Sequence, residues 1–155
     1  MTSAATEWTP QPRPLLWGSF NGLAYVPRLP PTAYVLLLHL LTEQESGGLV
    51  KATHERLAAG LAIDRGLISR AMQHLVAARL VTVAGRGKFQ LNPMIAAYDT
   101  PTDQARALKA LPREQRLDEG DFEEEYEHRL EEQERERLRK KTESKVATLR
   151  PRLVR

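Results

Sequence analysis

Two short amphipathic stretches joined by five residues constrain this chain more than any other feature. The first runs from Thr53 to about Ala59, and the second begins after Asp64 and continues to Leu75. Thr53 and Asp64 carry side-chain oxygens that accept from the free amides of a helix's first turn, so each marks a helix start. Between the stretches, Gly60-Leu61-Ala62-Ile63-Asp64 leaves room only for a tight turn. Leu57, Ala58, Leu61, Ile63, Ile68, Ala71, Met72 and Leu75 then fall where two steeply crossing helices share a core. Small Ala58 and Ala62 permit their close approach.

The residues that follow change period. Arg79-Leu80-Val81-Thr82-Val83-Ala84 alternates as a strand, Gly85-Arg86-Gly87 makes a turn, and Lys88 to Asn92 form a second strand. The helix pair has the layout of a helix-turn-helix, and a hairpin with a basic tip directly behind it has the layout of a wing. The pattern Thr53, Leu57-Ala58, Leu61-Ala62-Ile63-Asp64, Ile68-Ser69-Arg70, Met72 and Leu75 resembles the helix-turn-helix of MarR-type winged-helix proteins. Ala62 stands where that pattern has a turn glycine, and Asp64 where it has a capping serine. Asp caps as well as Ser, but Ala is costly if the backbone there needs a positive φ.

Upstream, six of the ten prolines fall in the first 31 residues, so that stretch reads as mostly extended. Within it, Asn21-Gly22 flanked by aromatic and β-prone residues predicts a short hairpin over 15–26. The other reading is an apolar arm along the domain, and either one buries Trp17, Phe20 and Tyr25. The return strand of the wing runs straight into Phe89-Gln90-Leu91-Asn92-Pro93-Met94-Ile95. This apolar-Asn-Pro exit and the preceding hairpin resemble the RepL-type plasmid replication proteins, over residues 15–98. The resemblance implies a winged helix-turn-helix that binds double-stranded DNA in plasmid replication initiation or maintenance. Asn92-Pro93 also reads as the start of a further helix, with Met94 to Tyr98 behind it.

Thr32 is positioned to cap a first helix from Ala33 to Gln44, ended by Gly47-Gly48. Its sequence AYVLLLHLL is apolar on nearly every face, so it needs cover on two sides. The arm and domain could supply both, or a second copy could, which makes Ala33 to Gln44 the candidate homodimer surface. His39 within it reads as a core residue.

Composition sets the domain limits. From Pro31 to Tyr98, 36 of 68 residues are apolar, whereas from Asp99 to Arg155 only 15 of 57 are apolar and 29 are charged, too few apolar to fold alone. The expectation is a Pro-rich arm over 1–30, a winged helix-turn-helix over 31–98 and a charged, partly helical or disordered tail over 99–155. The fold class is α+β, mainly α with a small β-sheet. Net charge is +4 over residues 1–98, −8 over 99–136 and +7 over 137–155, a pattern that suits a polyanionic partner. In the tail, Phe122, Tyr126, Leu130 and Leu138 form a stripe that drifts around the helix, and Glu125→Arg129, Glu131→Arg135 and Glu136→Lys140 are supportive pairs. The tail reads as a solvated helix, dispensable to the fold, that contacts DNA non-specifically or a protein partner.

The chain has no cysteine, which excludes disulfides, thiolate metal sites and cysteine nucleophiles. The longest apolar run, Ala33 to Leu41, contains His39 and is too short to span a bilayer. No charged start followed by an apolar run opens the sequence, so a soluble cytoplasmic protein, associated with nucleoid or plasmid, is expected. No Ser/His/Asp spacing or phosphate-binding glycine loop appears, so neither catalysis nor a cofactor or metal is expected.

If Ile68, Met72 and Leu75 turn inward, Arg65, Gly66, Ser69, Arg70, Gln73 and His74 face outward. Arg70 or Arg65 suits a guanine edge and Gln73 an adenine. Ser69 and Thr53 suit phosphates, and Gly66 permits close approach of the backbone. Arg86 and Lys88 at the wing suit the minor groove or its phosphates. Three roles stay open on this reading: a replication or plasmid-maintenance protein, a MarR-like transcriptional regulator, and a winged-helix adaptor that docks protein.

Overall fold

The computed structural model describes residues 16–18 and 21–149. It is mainly helical, with a three-stranded antiparallel sheet. In chain order come helix α1 (Pro31–Glu43), strand β1 (Leu49–Lys51), helices α2 (His54–Leu61) and α3 (Arg65–Ala77), strands β2 (Val81–Gly85) and β3 (Lys88–Leu91), and helices α4 (Pro101–Ala110) and α5 (Phe122–Leu149). No helix among the described residues is long and apolar enough to cross a membrane.

Helix α1 starts two residues earlier than the Thr32 reading placed it. Pro31 occupies the first turn, where a missing amide costs nothing, and Pro30 precedes it as the cap, so Thr32 lies inside the helix. Ala33, Leu36, Leu37 and Leu40 are buried against α3, while Tyr34, Val35 and Leu38 stand exposed, Leu38 at 62%. One face of this all-apolar helix is therefore covered within the chain and the opposite face is not. The Tyr34 hydroxyl accepts from Leu29 N and donates to Pro27 O, both at 3.0 Å, and so pins the incoming segment.

Helices α2 and α3 begin as their capping residues dictate. Thr53 Oγ1 accepts from Arg56 N at 3.2 Å, and Asp64 Oδ2 accepts from Gly66 N at 2.9 Å. Ala62, which ends α2, has φ 53° and ψ 43°, the left-handed region. Its amide and that of Ile63 reach back to Ala59 O and Ala58 O, which closes the turn. Ile68, Ala71, Met72 and Leu75 of α3 are buried.

In the sheet the order is β1-β3-β2, so the last strand in sequence is central. Phe89 pairs with Val50 on one side and Val83 on the other, and the register of β2 shifts between Val83 and Gly85, next to the Arg86-Gly87 turn. Phe89 and Leu91 point into the core.

Past the sheet, Asn92-Pro93 starts no helix. Buried Asn92 instead closes a single turn by accepting from Met94 N at 2.9 Å, and its Nδ2 donates to Arg79 O at 3.0 Å and Gln115 O at 2.7 Å. The amide therefore serves as a clasp between distant segments rather than as a helix cap.

The predicted hairpin over 15–26 is absent where the residues are described. Asn21–Tyr25 form a short 3-10 helix whose Gly22 N donates to Met94 O at 3.2 Å. Trp17 forms an isolated antiparallel bridge with Tyr98 instead of pairing across a local turn, and it is 53% exposed rather than buried. The segment is thus an arm along the domain; Phe20 lies outside the described residues.

The tail also departs from expectation. Leu117 and Tyr126 are 1% and 4% exposed and belong to the same apolar cluster as Leu36 and Leu75. Phe122 meets Tyr25 edge-on at 6.0 Å between ring centres. Arg79, itself at φ 61°, pairs with Glu125, which also accepts from Arg129 at 3.1 Å, and Arg129 donates to Ala77 O at 3.2 Å. Residues 111–130 thus complete the core, whereas the remainder of α5 projects with its side chains mostly exposed.

Candidate nucleic-acid interface

The outward side of α3 and the β2–β3 hairpin face one another across an open groove of about 700 Å³. Arg65, Ser69 and Gln73 border it from α3, Thr53 from α2, and Arg86 and Phe89 from the hairpin. Burial of Ile68, Met72 and Leu75 leaves Arg65, Gly66, Arg70 and Gln73 exposed on α3. Ser69 is half-buried.

Individual side chains differ in how free they are. Arg65 Nη1 is tied to Glu55 Oε1 at 3.0 Å across the helix pair, so a carboxylate already holds it. Among the described residues, Arg70, Arg86 and Lys88 form no ion pair. Gly66 leaves room for its own cap, since a Cβ there would stand 3.0 Å from Asp64 Oδ2. Gly87, at φ 68°, lets the hairpin turn tightly beneath Arg86.

One residue of this groove was missed from the sequence. His54, the first residue of α2, places Nδ1 3.0 Å from Ser69 Oγ and stacks its ring on Phe89, 5.7 Å between centres at 13°. It thereby braces α3 against the hairpin and orients the Ser69 hydroxyl. Nothing local signals this, because both partners are remote in sequence; only its place beside the capping Thr53 hints at it.

His74 is not part of the outward face. It is half-buried, and its Nδ1 lies 2.7 Å from the Tyr126 hydroxyl of α5. Burial holds His74 below the ordinary histidine value and holds Tyr126 above the ordinary tyrosine value, so both rings are kept neutral.

Helix α5 flanks α3, and its Gln133 also borders the groove shared with the hairpin. Gln133 Nε2 donates to Gln73 O at 3.4 Å, and beyond that contact the two helices enclose a second groove of about 970 Å³. Arg70, Gln73 and His74 border it from α3, and Glu131, Glu134 and Glu136 are among its borders on α5. The exposed surface of α3 is therefore the floor of a trough, with the cationic hairpin as one wall and an acidic stretch of α5 as the other.

Comparison with protein-family models, with curated proteins and with solved structures finds no match to this chain.

Proposed function

We propose that the chain binds double-stranded DNA sequence-specifically, with α2, α3 and the β2–β3 hairpin acting as a winged helix-turn-helix. The observation that carries this reading is the single groove that collects hydrogen-bonding Ser69 and Gln73 from α3 and, from the hairpin tip, Arg86, which forms no ion pair among the described residues. A helix of 13 residues with such a face suits the major groove, where base edges display distinguishable donors and acceptors. Arg70 is suited to a guanine, Gln73 to an adenine, and Arg86 and Lys88 to the backbone. Arg65 must leave Glu55 to join them. Thr53, Ser69 and His54 border the groove as phosphate-contacting or bracing groups.

The role we assign is plasmid replication initiation or maintenance, on the resemblance of the Asn92-Pro93 wing exit to RepL-type proteins; the N-terminal hairpin, absent among the described residues, lends it no support. Two copies bind together through the uncovered face of α1, where Tyr34, Val35 and Leu38 are exposed. Arg70→Ala is expected to cost about 1–3 kcal/mol and to relax preference at one base pair. Arg86→Ala is expected to weaken binding to all sequences and to flatten the salt dependence. Unchanged affinity in both variants at moderate salt would refute DNA binding through this face and leave a protein-docking role. A genome-wide footprint separates the roles: a repeat cluster at an origin supports replication, and scattered promoters would assign transcriptional regulation instead.

A further inference from the structure

The wall that α5 builds beside α3 has a mechanical consequence for that reading. B-DNA offers a major groove about 12 Å wide, enough for one helix. Two helices packed side by side, with axes about 8–10 Å apart, present a front wider than that groove. Contacts from α5 reach the backbone oxygens of Gln73 and Ala77 and the ring of His74, so it occupies the flank of the last two turns of α3.

Charge adds to the obstruction. Between Glu131 and Glu136, α5 carries four glutamates against the single Arg135, and this stretch borders the groove that holds Arg70. A phosphate strand approaching Arg70 from that side meets Glu131, Glu132, Glu134 and Glu136 along the α5 wall, with the cations Arg137 and Lys140 only at its far end. Anchoring and covering are also separate along the helix. Tyr126 and Arg129 hold the first turns to α3, whereas past residue 130 the one hydrogen bond to α3 among the described residues is that of Gln133.

We infer that the middle of α5 is an internal competitor of DNA: residues 131–136 mask the recognition surface of α3, and full engagement of a duplex requires that stretch to swing away. This rests on the DNA-binding reading above. The anchored turns stay in place as the pivot, and the basic residues farther along, Lys141 and Lys145, travel with the released part.

The test uses the full chain and a fluorescein-labelled duplex of mixed sequence, followed by anisotropy. Gln133→Pro breaks α5 one turn past its anchor and removes the Gln73 contact. The double variant Glu131→Gln/Glu134→Gln removes charge while keeping the helix. Both are expected to bind about fivefold tighter than the parent or better, with cooperative melting retained. A spin-label pair at Glu45→Cys and Leu138→Cys, in a chain without native cysteine, should report a longer or broader distance when duplex is added. Equal affinity of parent and both variants, with Arg86→Ala still weakening the parent, would overturn the inference and leave DNA binding intact. If neither parent nor released variants bind duplex, the DNA reading falls and the inference falls with it.

Discussion

Ala62 shows how a single residue can register strain in this fold. A side chain at φ 53° brings its Cβ against the following carbonyl, at about 1–2 kcal/mol relative to right-handed backbone. Glycine escapes that clash but loses more freedom on folding, so Ala62→Gly is expected to stabilise the protein by about 0.5–1 kcal/mol, read as a higher Tm. The departure from a turn glycine was visible in the sequence, and so was the condition under which it would matter. Gly22 is the opposite case, because its need lies in a remote contact. A Cβ there would stand 2.5 Å from Met94 O, so Gly22→Ala is expected to destabilise by about 1–3 kcal/mol in denaturant titration. His74 adds a pH dependence. Its folded pKa is depressed by burial, so the stability it contributes is complete above the ordinary value near 6.5 and is lost as pH falls through the lower folded value. Tyr126 faces it directly, and Arg70, Glu131, Glu134 and Glu136 share its groove. The loss of stability between about pH 7 and pH 5 should be smaller in His74→Gln than in the parent, measured by thermal melts.

At the level of elements, legibility followed the range of the signal. The α2–α3 pair was readable because caps and apolar periodicity act within a few residues, and the β2–β3 hairpin because its alternation and glycine turn are equally local. The hairpin over 15–26 failed for the same reason in reverse. Asn21-Gly22 is a strong local turn signal, but Gly22 N finds Met94 O and Trp17 finds Tyr98, partners more than seventy residues away. The tail misled through its composition: 29 charges hide the few apolar residues that matter, Leu117, Phe122, Tyr126 and Leu130. Their four-residue spacing from 122 to 130 indicated one helical face but not what it would cover. Deleting residues 134–155 is therefore expected to shift Tm little, since their described side chains are exposed. Tyr126→Ala is expected to cost about 3–5 kcal/mol, as removal of a buried aromatic ring does. A small effect of Tyr126→Ala would mean that α5 contributes nothing to the core.

For the whole molecule, the decisive surfaces lie on different sides of α3. Helix α1 packs on its inner face and turns Tyr34, Val35 and Leu38 outward, while the trough opens on its outer face. Dimerisation through α1 would thus leave both troughs free and place two copies to read half-sites about one helical turn apart. Static light scattering at tens of micromolar should give twice the monomer mass, and Leu38→Glu should return the monomer. A monomeric parent under those conditions would remove the dimer from the proposal. Which face of the all-apolar α1 stays open could not be read from its sequence, because it depends on where α3 and the arm come to rest.

The strand order also governs how the protein comes into being. Because β3 is both last of the three to emerge and central among them, β1 and β2 have no ladder to join until residues 88–91 leave the ribosome. No two-stranded intermediate can assemble early and wait with an open edge. Leu36, Ile68 and Leu75 of α1 and α3 are buried without help from the sheet's pairing, whereas the Asn92 clasp needs both Arg79 and the later Gln115. Until β3 emerges, the edges of β1 and β2 in a nascent chain therefore stay unpaired and open to pairing with those of its neighbours.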